Sequence, residues 1–174
     1  MGGCFGADVH DGNGVNVALT DRGPVFAVFR QGATSDNAGP EDLAGENPAE
    51  APATEVLAFS AQFVGARETV PVGRQRAETV FNYFVGPEER WRSEVPSYEV
   101  VAYEGLYEGI DLYTWGQRSR LKYEFHVAPG ADYRAIQVRY EGITGLSLAE
   151  DGSLIVGLGD GWGHVVDGAP YIYQ

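Results

Sequence analysis

"SRLKYEFHVA", residues 119–128, alternates by side: Leu121, Tyr123, Phe125 and Val127 fall on one face, Lys122, Glu124 and His126 on the other. A strict period of two with one apolar and one polar face is the pattern of an antiparallel strand that packs on one side and meets water on the other. The neighbouring stretches repeat it. "GIDLYTW" (109–115) sets Ile110, Leu112 and Thr114 opposite Asp111, Tyr113 and Trp115, "SYEVVAY" (97–103) reads as another strand, and "AIQVRYEG" (135–142) places Ile136, Val138 and Tyr140 inward. The Asp-Gly pairs in "EDGS" (150–153) and "GDGWG" (159–163) supply the positive φ that tight hairpin turns demand.

The first half of the chain follows the same grammar. "GVNVALTDRGPVFAVFR" (14–30) alternates up to a turn at 20–24 and alternates again after it, which predicts a hairpin. "EVLAFSAQFVG" (55–65) puts Leu57, Phe59, Ala61 and Phe63 on its core face. "ETVPVGR" (68–74) and "ETVFNYFVG" (78–86) are further strands, Pro71 assigning the former to an edge where a missing N–H costs little. "GPEERWRSEVPS" (86–97) interrupts the series and accommodates at most one short helical turn near 87–92, with Pro87 at its start and two acids behind it. The sequence therefore predicts one all-β domain over 1–174, an antiparallel β-sandwich of about a dozen short strands, with a barrel-like closure as the alternative. The stretch "YEGLYEGIDLYTW" (103–115) reads as a strand end, a glycine-bearing turn at 105–109 and the next strand. Residues 31–54, rich in proline and acid and without an aromatic, read as a flexible acidic loop, because they bury too little to offset ordering entropy.

Composition sets outer bounds. The chain has 174 residues, 24 of them glycine, and 12 basic against 25 acidic residues give a formal charge of -13. Such a field repels a phosphate backbone and argues against nucleic acid as a partner. No run approaches the ~18 apolar residues that a membrane-spanning helix requires, so membrane insertion is not expected. The single cysteine, Cys4, excludes an internal disulfide and a multi-cysteine zinc site, and it sits in a glycine-rich lead expected to be flexible. "MGGCFGADVH" has neither the basic nor the apolar region of an intact secretory signal, and Gly6 stands where a myristoylation motif wants Ser or Thr.

Catalytic chemistry has few anchors. His10, His126 and His164 lie in no nucleophile–base motif, and His126 belongs to the polar face of its strand. Asp8, Asp11 and Asn13 in "DVHDGNG" gather oxygen ligands, but their spacing departs from a calcium loop and no bidentate Glu follows at the required position; no metal or cofactor is expected. A glycosidase needs two carboxyl groups facing each other across a cleft, and Glu104, Glu108, Asp111, Glu124 and Glu141 offer many pairings without singling one out. Carbohydrate binding needs flat exposed rings, for which Trp91, Tyr113, Trp115 and Trp162 are available; the weak ligand-binding candidates are Asp111, Tyr113, Trp115 and Trp91.

The order of landmarks also carries a resemblance. "FVGA" (63–66), "VFNYFVG" (80–86), "RWRSEVPSY" (90–98), "LYEGIDLYTWG" (106–116), "LKYEFHVAPGAD" (121–132), "IQVRYEG" (136–142), "DGSLIV" (151–156) and the closing "APYIYQ" (169–174) follow one another as in a known family. The chain resembles the N-terminal all-β domain of large secreted bacterial proteins that carry SBBP (β-propeller-type) repeats, a domain of uncharacterised function. The resemblance covers about four-fifths of the chain. It implies an extracellular or cell-surface location, a non-catalytic structural or interaction role with adhesion as one form of it, and other domains of the parent protein or surface molecules as partners. It supplies no catalytic residue. The family's opening Phe and Asn-x-Gly-Gln element is missing, which would leave a sheet edge open to self-association. A carbohydrate-binding module is the alternative reading, and a hydrolase built on paired carboxylates is a third.

Overall fold

The computed structural model describes residues 2–6, 14–31, 54–117 and 120–173. Twelve strands account for most of them: β1 (Gly2–Gly6), β2 (Gly14–Thr20), β3 (Gly23–Gln31), β4 (Thr54–Phe63), β5 (Val72–Tyr83), β6 (Arg92–Tyr107), β7 (Ile110–Gln117), β8 (Arg120–Val127), β9 (Val138–Glu141), β10 (Gly145–Leu148), β11 (Leu154–Gly157) and β12 (His164–Tyr171). They form an eight-stranded sheet in the order β10-β11-β12-β1-β8-β7-β6-β5 and a four-stranded sheet in the order β2-β3-β4-β9. Neighbours pair antiparallel throughout. Neither sheet closes, so the architecture is an all-β sandwich and the barrel alternative is set aside. The candidate acidic loop and the Asp8–Asn13 segment lie outside the described residues.

The alternation in the sequence is what joins the layers. Phe26, Val28, Phe59 and Ala61 from the small sheet meet Val156, Leu158 and Val165 from one end of the large sheet in the first core cluster. Phe26 and Phe59, register partners across β3 and β4, stack with centroids 4.7 Å apart and planes 10° from parallel. In the second cluster, Tyr103, Leu106, Tyr107, Ile110, Leu112 and Phe125 of the large sheet pack against Leu19 and Phe63 of the small one. The Tyr103 hydroxyl donates to the Thr20 carbonyl at 2.8 Å, tying the sheets together by a partly buried hydrogen bond. Gly23 permits the closest backbone approach: its φ is +128°, and a Cβ there would lie 2.2 Å from the Ala61 carbonyl oxygen.

Several expectations need correction. The segment 86–97 does not interrupt the sheet for its whole length. After a 3-10 turn at Glu88–Arg90, β6 begins at Arg92 and runs through Pro96, which pairs with Val80 of β5. The proline is tolerated because β7 joins β6 only from Val100 onward, leaving its other edge without a ladder partner among the described residues. The two strands expected at 68–86 are one bulged strand, β5, with Gln75 at positive φ and a register shift between Arg76 and Val80. The turn placed at 105–109 shrinks to Glu108–Gly109, since Tyr107 already pairs with Ile110; Gly105, at φ +61°, lies within a break in the β6–β7 register.

A second 3-10 turn, Tyr133–Ala135, was not expected. Asp132 starts it by accepting the Arg134 N–H at 3.0 Å, and it shortens the strand anticipated at 135–142 to β9, with Val138 exposed. The glycine-rich lead is not a loose end either. Gly2–Gly6 lies inside the large sheet, with Cys4 opposite Lys122 on one side and Gly168 on the other. Among the described residues the edge strands are therefore β5 and β10 of the large sheet and β2 and β9 of the small one, not the first strand.

Candidate functional site

Three surfaces bear chemistry. The first is the outward face of the large sheet, where the alternation of β7 and β8 places the predicted residues. Asp111 is opposite His126, Tyr113 opposite Glu124, and Trp115 opposite Lys122. Tyr113 and His126 lie in ring contact at 4.5 Å with planes 41° apart. Tyr98, Tyr113, Trp115, Glu124 and His126 border an open concavity of about 950 Å³. The structure thus brings Asp111, Tyr113 and Trp115 onto one face and leaves Trp91 elsewhere.

The acids of this face have structural duties. An Asp111 Oδ1 oxygen accepts the Gly105 N–H at 2.6 Å and so pins the irregular turn of β6. Glu124 Oε2 lies 3.3 Å from His126 Nε2. The hydrogen-bonding influence of Glu124, followed by burial and the Glu124 charge, raises the Tyr173 hydroxyl above its ordinary pKa. Asp111 and Glu124 stand diagonally on adjacent strands of one sheet face. That arrangement sets them side by side, not opposed across a cleft as glycoside hydrolysis requires. Among the described residues no group of three His, Cys, Asp or Glu side chains is arranged to hold a metal ion.

The second surface is a hairpin arm. None of residues 72–98 belongs to either core cluster. Val80, Phe81, Tyr83, Phe84, Val85 and Trp91 are all exposed there, Phe84 at 60 % and Val85 at 79 %. Trp91 is fixed at this tip by its indole N–H, which donates to the Gly86 carbonyl at 3.1 Å, and by an edge-on contact with Phe84 at 5.3 Å. An isolated exposed Leu or Val is ordinary; a run of large apolar side chains on a two-stranded projection is the mark of a contact surface.

The third feature lies between the sheets and was not anticipated. A cavity of about 260 Å³ opens between β3 and β4 on one side and β7 and β8 on the other. Among its described lining residues the one carboxylate is Asp167, 8 % exposed; Oδ2 accepts from the Tyr123 hydroxyl at 2.9 Å, and Oδ1 has no hydrogen-bond partner among the described residues. Burial pushes the Asp167 carboxyl up to about 6, against the smaller lowering effect of the Tyr123 bond. Burial, and secondarily the charge of Asp167, raises the Tyr140 hydroxyl as well. In the sequence Asp167 is one acid among 25, placed before a glycine as a turn residue would be, and only the assembled sandwich reveals its burial.

Fold and surface together define an all-β, two-sheet domain with an apolar projection. Over residues 8–174 the chain matches the family described as "Domain of unknown function (DUF7948)", and it belongs to that family. No curated protein matches it. No solved structure matches it either.

Proposed function

We propose that this domain is a non-catalytic structural and interaction module of a large secreted or surface-exposed protein with SBBP-type repeats, and that the β5–β6 arm is its contact element. The observation that carries the reading is the cluster of exposed apolar side chains at 80–85 and Trp91, on a projection that contributes nothing to either core. Fully burying one such side chain contributes about 1.5–3 kcal/mol, so three or four together contribute roughly 5–12 kcal/mol toward offsetting the cost of association. The partner is a neighbouring domain of the same parent protein or a surface molecule at an adhesion site. No helix among the described residues is long and apolar enough to cross a membrane. The side-by-side, hydrogen-bonded carboxylates of the outward face support a role without hydrolysis.

Photo-crosslinking tests this reading. With a photoreactive residue in place of Val85 in the parent protein, a discrete crosslinked species should form, and it should disappear when Phe81 and Phe84 are both replaced by Ser. Labelling no different from that at an exposed position of β10, such as Leu148, would contradict it.

A second reading rests on a separate observation. Tyr98, Tyr113 and Trp115 border one open concavity beside Glu124, a ring-and-acid combination suited to stacking and hydrogen bonding a sugar. Titration with oligosaccharides, followed by tryptophan emission in the wild type and in Trp115→Phe, separates the two. A saturable change lost in the variant favours the sugar face, and none favours the arm alone.

A further inference from the structure

The β5–β6 arm carries a stretch whose chemistry reads alike in both directions. Around Asn82, Phe81 and Tyr83 stand one residue to each side, Val80 and Phe84 two to each side, and Arg76 and Glu88 six to each side. Apolar positions mirror apolar positions, and the flanking charges are opposite in sign. A two-fold axis requires this kind of self-complementarity, because residue i of one copy must suit residue j of the other while j suits i.

These groups are placed to be used. Val80, Phe81, Tyr83 and Phe84 are exposed, and so are Arg76 and Glu88. Arg30, Arg67 and Arg74 each pair with a glutamate of the same chain, whereas Arg76 and Glu88 have no ion-pair partner among the described residues. β5 ends the large sheet, so among the described residues the edge of 80–83 that faces away from β6 has no strand beside it. The register shift between Arg76 and Val80 breaks that edge on the side of the body, which confines pairing to the outer segment and keeps it from spreading into a larger sheet. Charge favours the same partner. Residues 72–98 hold four Arg and four Glu, so the formal charge of -13 falls on the rest of the chain and two arms meet without net repulsion.

Building on the contact role given to the arm above, we propose that its partner is the arm of a second copy of this chain, laid antiparallel about a two-fold axis at Asn82. Phe81 then lies beside Tyr83 of the second copy, Val80 beside its Phe84, and Arg76 reaches its Glu88, each contact occurring twice. The contact is short, so it is weak between dilute chains and fills where larger proteins bearing the domain are presented close together.

The test is sedimentation equilibrium of the chain and its variants. Wild type should show a reversible monomer–dimer equilibrium and no larger species. Arg76→Glu and Glu88→Arg should each weaken it at least about fivefold, because each sets like charges together at both ends of the contact. Mixing the two variants in equal amounts should restore it, since the mixed pair again has opposite charges at both ends. Phe81→Ser combined with Phe84→Ser should abolish it. A chain monomeric up to millimolar concentration, a dimer indifferent to both reversals, or a mixture no stronger than its components would overturn the proposal. Photo-crosslinking from position 85 in the larger protein separates this inference from the reading beneath it: capture of a different domain or protein keeps the arm as a contact element and sinks the second copy alone, whereas no capture sinks both.

Discussion

Replacing Asp167 by Asn should stabilise the domain at neutral pH and remove a specific part of its pH dependence. Burial moves this carboxyl from its ordinary 3.8 to about 6. At about 1.4 kcal/mol per tenfold change in proton affinity, keeping it ionised in the folded state costs about 3 kcal/mol above pH 7. The sign follows from the direction of the shift. A carboxyl raised on folding binds its proton more tightly in the folded chain, so its contribution is most favourable below about 3.8 and is lost as pH rises through about 6. Between pH 7.5 and 4.5 the wild type should therefore regain about 2 kcal/mol from this one group. Asn keeps the shape and one acceptor for the Tyr123 hydroxyl but gives up a charge-assisted bond, which reduces the net gain at pH 7.5 to about 1–2 kcal/mol. The assay is urea unfolding of both proteins at pH 4.5, 5.5, 6.5 and 7.5, read as the difference between them. The formal charge of -13 adds a background that is nearly common to the two and largely cancels. A difference that stays constant across this range, or a variant less stable than wild type at pH 7.5, would refute the reasoning.

Other perturbations follow from the packing. Leu106→Ala opens a hole in a fully buried position of the second core cluster and should cost about 2–5 kcal/mol in the same unfolding assay. Gly23→Ala forces a Cβ against the Ala61 carbonyl at φ +128° and should lower stability by about 2 kcal/mol or more, visible as a lower thermal midpoint. Val85→Ser, at the exposed tip of the arm, should change stability by no more than about 0.5 kcal/mol, because the side chain belongs to neither core cluster. Asp111→Ala should speed hydrogen exchange at the Gly105 amide, its hydrogen-bond donor, while the rest of β7 keeps its protection.

The strands were legible where one face is buried and the other is wet. In 119–128 the hydrophobic period itself encodes the geometry, and Phe125 and Leu112 are buried as their alternation requires. Glycine-bearing turns were legible for a related reason: Gly152 and Gly163 sit at positive φ in the connections that "EDGS" and "GDGWG" announce. Legibility failed where the alternation carries no burial. Residues 78–98 project beyond the cores, so apolar side chains there mark neither face, and β6 starts several residues before its alternation becomes visible. The glycine-rich β1 has too few side chains to show a period at all, yet its backbone fills the position between β8 and β12.

The candidate site divides in the same way. Strand parity alone brought Asp111, Tyr113 and Trp115 to one face, a local consequence of the period-two repeat. It could not reveal that Asp111 is engaged by Gly105, a bond set by an irregularity in β6. Trp91 is separated from the others because it lies in the connection between β5 and β6, held to Gly86 and Phe84 there, and not on the β7–β8 face. Asp167 was invisible because its neighbours in the sequence, Val166 and Gly168, say nothing about Tyr123, which lies 44 residues earlier in the chain.

Hydrogen exchange compared between the isolated domain and the larger secreted protein proposed to contain it tests the interaction role most directly. The account predicts that amides of residues 79–95 exchange more slowly in the assembled protein while those of β10 and β11 are unchanged, because the arm is covered and the sandwich is the same. Equal exchange of the arm in both states would contradict it.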